Sequence, residues 1–110
     1  MQSETDVRVV LVTAPDRDAA VALVRTLVDE RLAACGNILP GVTSIFRWEG
    51  KVQEDPEVLI ILKSHSSVLP KLVDRTAALH PYDVPEVLSL PVREGHLSYL
   101  DWVGRECGTD

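Results

Sequence analysis

Positive charge is scarce in this chain: 17 Asp and Glu stand against 11 Lys and Arg, for a formal net charge of -6. That balance lacks the basic footprint of a nucleic-acid binder and disfavours an anionic membrane surface. Long apolar runs are missing as well, and none approaches the roughly eighteen residues needed to cross a bilayer. Met1 to Asp6 is polar and acidic, without the basic and then apolar order of a secretory leader. Only Cys35 and Cys107 carry thiols, with no CxxC spacing and no histidine at finger spacing, which argues against a zinc finger or a disulfide framework. The expectation is a cytoplasmic protein with reduced thiols. Cys35 reads as a small buried hydrophobe, and Cys107, close to the C-terminus, as exposed.

Glycine is also sparse and forms no GxGxxG or Walker pattern. A phosphate cradle needs backbone donors at the start of a helix. The loop Thr13-Ala14-Pro15-Asp16-Arg17 has no glycine, loses one donor at Pro15, and would repel an anion through Asp16. Ser64, Ser66 and Ser67 gather where a helix begins, which suits capping better than nucleophilic attack. A non-catalytic protein is expected, and a hydrolase of acyl or phosphoryl esters using Arg17 or Arg47 is the remote alternative.

What is present is a hydrophobic fraction of 45% in 110 residues, enough for one core. The expected organisation is a flexible polar tail over 1–6 and a single domain over 7–110. Val7 to Thr13 is a β-branched run and a predicted central strand. Thr13 or Asp16 can cap the helix that follows over about Asp18 to Ala34. Val21, Val24, Val28 and Leu32 give that helix its apolar stripe, Ala20, Leu23 and Leu27 widen it, and Gly36 serves as its stop.

Two long strands then meet at a Glu49-Gly50 turn, one over Val42 to Trp48 and the other over Lys51 to Lys63, with Val58 to Leu62 apolar enough to be covered on both faces. At about 3.3 Å per residue a thirteen-residue arm reaches roughly 40 Å, against a radius of gyration of about 13 Å for a domain of this size. Such a hairpin overreaches its own core. Ile45, Phe46 and Trp48 would then need cover from another copy of the chain, with Trp102 a further interface candidate.

A second helix is predicted from Ser67 to Leu79, capped by Ser66 or Ser67 and ended by His80-Pro81. Val84 to Val92 reads as an edge strand interrupted by prolines, and His96 to Glu106 as a short terminal helix. The order is that of a ferredoxin-like βαββαβ sandwich in the α+β class, with a long hairpin between its second and third strands and a short C-terminal helix.

TAPD at 13–16, ERLAAC at 30–35, NILPGVTSIFRWEGKVQED at 37–55, HPYDVPEV at 80–87 and YLDWV at 99–103 together resemble the CutA family of divalent-cation tolerance proteins. The resemblance implies a homotrimer shaped like the PII signalling proteins, a role in tolerance of or response to metal ions, copper binding in some members, and no secure enzymatic activity. Metal-binding members that resemble this chain carry a cysteine just before TAPD and can carry a second histidine just before HPY. Val12 and Leu79 stand there instead.

What remains is His80 with Glu86, and Asp83 nearby, enough for weak contact with Cu(II) or another divalent cation. Against this, His80 ends a helix, where an imidazole suits a capping and packing role. His65 and His96 have no ligand at metal spacing and read as solvated or capping residues. Asp16, Tyr82 and Glu86 are candidates for a cleft between subunits that binds a small metabolite or a protein partner, the alternative reading of function. Arg47, Glu49 and Lys51 suit exposed cross-strand charge pairs.

Overall fold

The computed structural model describes residues 5–108. Its elements are β1 (Val7–Ala14), α1 (Arg17–Asp29), β2 (Cys35–Trp48), β3 (Lys51–His65), α2 (Leu69–Leu79), β4 (Val87–Pro91) and α3 (Leu97–Glu106). The four strands form one antiparallel sheet in the order β2-β3-β1-β4. This is the expected ferredoxin-like arrangement, and the proline-bearing β4 occupies an edge as its sequence requires.

One sheet face carries the core. Val10, Val12 and Ala14 of β1 and Val58, Ile60 and Leu62 of β3 are buried with Ala20, Leu23 and Leu27 of α1 and Leu72 of α2. The α1 residues that only widened the predicted stripe are thus its centre, while Val28 is exposed. A second cluster joins Val7, Ala34, Val103 and Cys107, placing α3 at the far end of the sheet. Along β3, burial alternates: Val58, Ile60 and Leu62 are buried and Leu59 and Ile61 are half-buried, so within the protomer the apolar run is fully covered on one face only.

Several boundaries differ from expectation for identifiable reasons. α1 ends at Asp29 because Arg31 adopts a left-handed conformation (φ 62°). The Arg31 guanidinium then donates to the carbonyls of Gly108 and Arg105 at 2.7 and 2.6 Å. Gly36, expected to stop the helix, lies in β2, where a Cβ would meet Val24 and Leu62 side chains at 2.8 and 2.9 Å. β2 starts at Cys35 rather than Val42 because a bulge between Leu39 and Val42, with Gly41 at φ 79°, absorbs the Pro40-Gly41 interruption. The cap position of α2 is Val68, with no side-chain cap bond, so Ser66 and Ser67 do not serve as expected. Ser66 instead donates to Asp6 at 3.2 Å, and Ser64 is fully buried, donating to the Leu32 carbonyl at 2.7 Å.

The expected tail falls mostly on residues 1–4, outside the described residues, while Thr5 donates from its backbone and hydroxyl to the Val92 carbonyl at 3.0 and 2.7 Å. The cysteines exchange roles. Cys107 is buried because Gly108 N–H bonds back to the Arg31 carbonyl at 2.8 Å, and Cys35 is half-exposed beside the Tyr99 hydroxyl at 3.4 Å. The hairpin turn stands at Glu49 (φ 51°) and Gly50 (φ 79°), as expected. The molecule measures 44 × 32 × 23 Å with a radius of gyration of 14.7 Å, extended for its length.

Candidate functional site

The site begins with strand register. Paired residues of an antiparallel ladder share a sheet face, and alternate residues of a strand share one as well. Val42, Ser44, Phe46 and Trp48 of β2 pair with Glu57, Asp55, Gln53 and Lys51 of β3. This set lies on the face of Leu59 and Ile61, opposite the buried Ile60 and Leu62. The hairpin therefore presents two aromatic rings and two carboxylates on the side away from α1 and α2.

The loop 80–86 closes the other side of this surface. Its anchor is His80, only 8% exposed. The ring Nε2 lies 2.7 Å from the Thr13 carbonyl oxygen, and Nδ1 accepts the Tyr82 N–H at 3.1 Å. A carbonyl only accepts, so Nε2 carries the proton and the imidazole is neutral in this pairing. The Tyr82 ring tilts against His80 at 4.8 Å between centroids, and its hydroxyl donates to Glu57 Oε2 at 2.8 Å. Burial, then the Glu57 hydrogen bond and charge, then the charges of Asp55 and Asp16 all push the Tyr82 phenol up, so it remains a neutral donor.

Between hairpin and loop is a cavity of about 600 Å³. Its rings are Phe46, Trp48 and Tyr82, and its carboxylates are Asp55, Glu57, Asp83 and Glu86. Ile45 and Thr13 also border it. Tyr82 and Glu86, expected in a cleft, are thus brought together with Ile45, Phe46 and Trp48. Asp16 is not among the lining residues. It caps α1, accepting the Ala19 N–H at 2.8 Å, and reaches the cavity only through its charge on Tyr82. Trp102 stands apart, its ring tilted against that of Tyr99 at 5.6 Å between centroids, beside the α3 cluster. Hydrogen bonding to Cys35, followed by burial, pushes the Tyr99 phenol up to about 12.

Asp55 and Glu57 were not picked out from the sequence. Their alternation with Gln53 on a long strand carried the signal, since residues two apart share a face. Nothing local marks Thr13 as the acceptor for His80.

Both His80 ring nitrogens are engaged, Val12 is fully buried in the core, and Leu79 is apolar at the end of α2. Among the described residues no three His, Cys, Asp or Glu side chains gather as a metal site. His65 is occupied by Ser67, whose hydroxyl lies 2.8 Å from its Nδ1. His96 sits at the cap position of α3 without a side-chain cap bond.

Residues 8–106 match the family model described as CutA1 divalent ion tolerance protein. The chain belongs to the CutA family. It is 51% identical over 100 residues to the divalent-cation tolerance protein CutA of Thermus thermophilus, covering 91% of this chain and 97% of that protein. The chloroplastic protein CutA 1 of Oryza sativa is 48% identical over 95 residues, covering 86% of this chain but only 54% of that protein.

Among solved CutA structures, that from Thermus thermophilus superposes with a TM-score of 0.90 at 50% identity, covering 93% of this chain and 99% of the other. A further CutA structure, from Archaeoglobus fulgidus and called periplasmic, has a TM-score of 0.88 at 32% identity, covering 91% and 97%. CutA relatives thus bear names from more than one compartment. In this chain no helix among the described residues is long and apolar enough to cross a membrane.

Proposed function

We propose that this CutA protein is a non-catalytic homotrimer acting in the response to, or tolerance of, divalent metal ions. The observation that carries the assembly is the uncovered sheet face. Ladder partners place Leu11 between Leu88 and Ile61, Leu90 beside Val9, and Leu39 beside Leu59, all opposite the helices. Leu88 and Leu90 are 55% and 47% exposed, and the hairpin aromatics extend the same face. An apolar surface of this continuity needs a partner, and a second and third copy of the chain supply one.

Metal binding in this reading is weak. His80 can ligate only by releasing Thr13 or Tyr82, and Glu86 with its neighbouring carboxylates would otherwise do the work. The two free cysteines fit a reducing, cytoplasmic setting. Multi-angle light scattering at micromolar concentration is expected to give three times the chain mass, and a monomer overturns the proposal. Calorimetric titration with Cu(II) is expected to be shallow and little changed by His80→Ala. A steep stoichiometric isotherm would refute the weak-binding reading.

A second reading, a PII-like sensor with a ligand between subunits, draws support from the cavity itself. It holds Tyr82 and Glu86 and opens on the apolar sheet face, where a neighbouring copy would form its roof. A structure of the assembled protein with that space filled by packed side chains would dismiss it.

A further inference from the structure

We infer that the cavity between the hairpin and the loop 80–86 is a binding site for a small organic ammonium ion, free in solution. The inference rests on the second reading above and names its ligand class. The lining combines the aromatic residues Phe46, Trp48 and Tyr82 with the carboxylates Asp55, Glu57, Asp83 and Glu86. Among the described residues it includes no Lys, Arg or His. Four carboxylates and no cation in the lining favour a cation over an anion, although Lys51, the ladder partner of Trp48, stands on the same face.

Which cation follows from the spacing. A bare divalent ion requires several oxygen donors converging within bonding distance. These carboxylates do not meet as a group of three. Glu57 is further committed, accepting the Tyr82 hydroxyl at 2.8 Å. That bond fixes the Tyr82 ring as a neutral wall, while the His80 bonds hold the loop that carries it.

An alkylated ammonium spreads its charge over a larger, poorly hydrated volume. It gains from aromatic faces, needs negative charge nearby, and requires no converging donor set. A cavity of about 600 Å³ lies within the range that holds small molecules.

Tetramethylammonium chloride is the probe, titrated into the full chain by calorimetry with choline chloride in a parallel cell. Saturable binding is expected, undisturbed by an equal concentration of Mg²⁺. The double variant Asp83→Asn, Glu86→Gln on the exposed loop should bind about tenfold more weakly, and Trp48→Leu by a similar factor. Asp101→Asn on α3 should bind as the native chain does.

Light scattering accompanies each variant, so that a loss of assembly in Trp48→Leu is seen and the loop variant then decides. Absence of saturation, displacement by equimolar Mg²⁺, or affinity unchanged in the loop variant would each overturn the inference. If an assembled structure shows the cavity filled, the cleft reading itself falls. If it shows the cavity open and the probe still fails to bind, only the ammonium assignment falls.

Discussion

His80 links the end of β1 to the loop that walls the cavity, and both links are hydrogen bonds to backbone at a nearly dry position. Replacing it with alanine leaves the Thr13 carbonyl and the Tyr82 N–H without a partner. His80→Ala should therefore cost about 2 kcal/mol of stability in urea unfolding, read as a lower midpoint with unchanged slope. A loss below a few tenths would show that water replaces both bonds. The sequence marked His80 through its place before Pro81 and suggested helix capping, and His80 does stand at the C-cap of α2, its backbone N–H donating to the Thr76 carbonyl at 3.0 Å. Its ring serves in addition a strand 67 positions away, a partner that only folding brings within reach. The two cysteines teach the same lesson. Position near a terminus suggested exposure for Cys107, but the backbone bond of Gly108 to Arg31 holds the segment 107–108 against the fold, and Cys107 is buried.

Among the elements, α1 shows which signals act locally. Asp16 sits in extended backbone and accepts the Ala19 N–H, a side-chain cap that the TAPD motif made legible. Asp16→Ala is expected to lower stability by about 1 kcal/mol by chemical denaturation, with Asp16→Asn close to the native value. If alanine is neutral there, the cap contributes nothing. The other end of α1 was not legible, because its periodic apolar residues continue to Leu32 and Ala33. Those residues are buried, yet by the chain that turns at Arg31 and not by helix. Burial and helical spacing coincide there without helix. The bulge in β2 is a similar case, since Pro40-Gly41 reads as a break until a neighbouring strand resumes pairing beyond it.

At the scale of the molecule, the open sheet face is the feature with the largest consequence. In an isolated protomer Leu90 is half-exposed, so Leu90→Asp should barely alter the fold of a monomer. In the proposed trimer it would place three carboxylates on the buried face. Light scattering of Leu90→Asp is accordingly expected to show dissociation to single chains, with the far-ultraviolet circular dichroism spectrum retained. An intact trimer would show that the subunits meet elsewhere. The overlong hairpin announced the need for cover, and Phe46 and Trp48 do stand on this face. Leu88 and Leu90 did not stand out, because a short edge strand in sequence gives no hint of what faces it.

The sequence alone determined the order of elements, the ferredoxin-like class, the reach of the hairpin and membership of the CutA family. These follow from local periodicity, turn chemistry and motifs read along the chain. The tertiary structure alone decided which residues share a cavity, that His80 is spent on backbone, and that one sheet face is left bare. Those outcomes depend on strand register and on contacts between distant segments, and no window of sequence contains both partners.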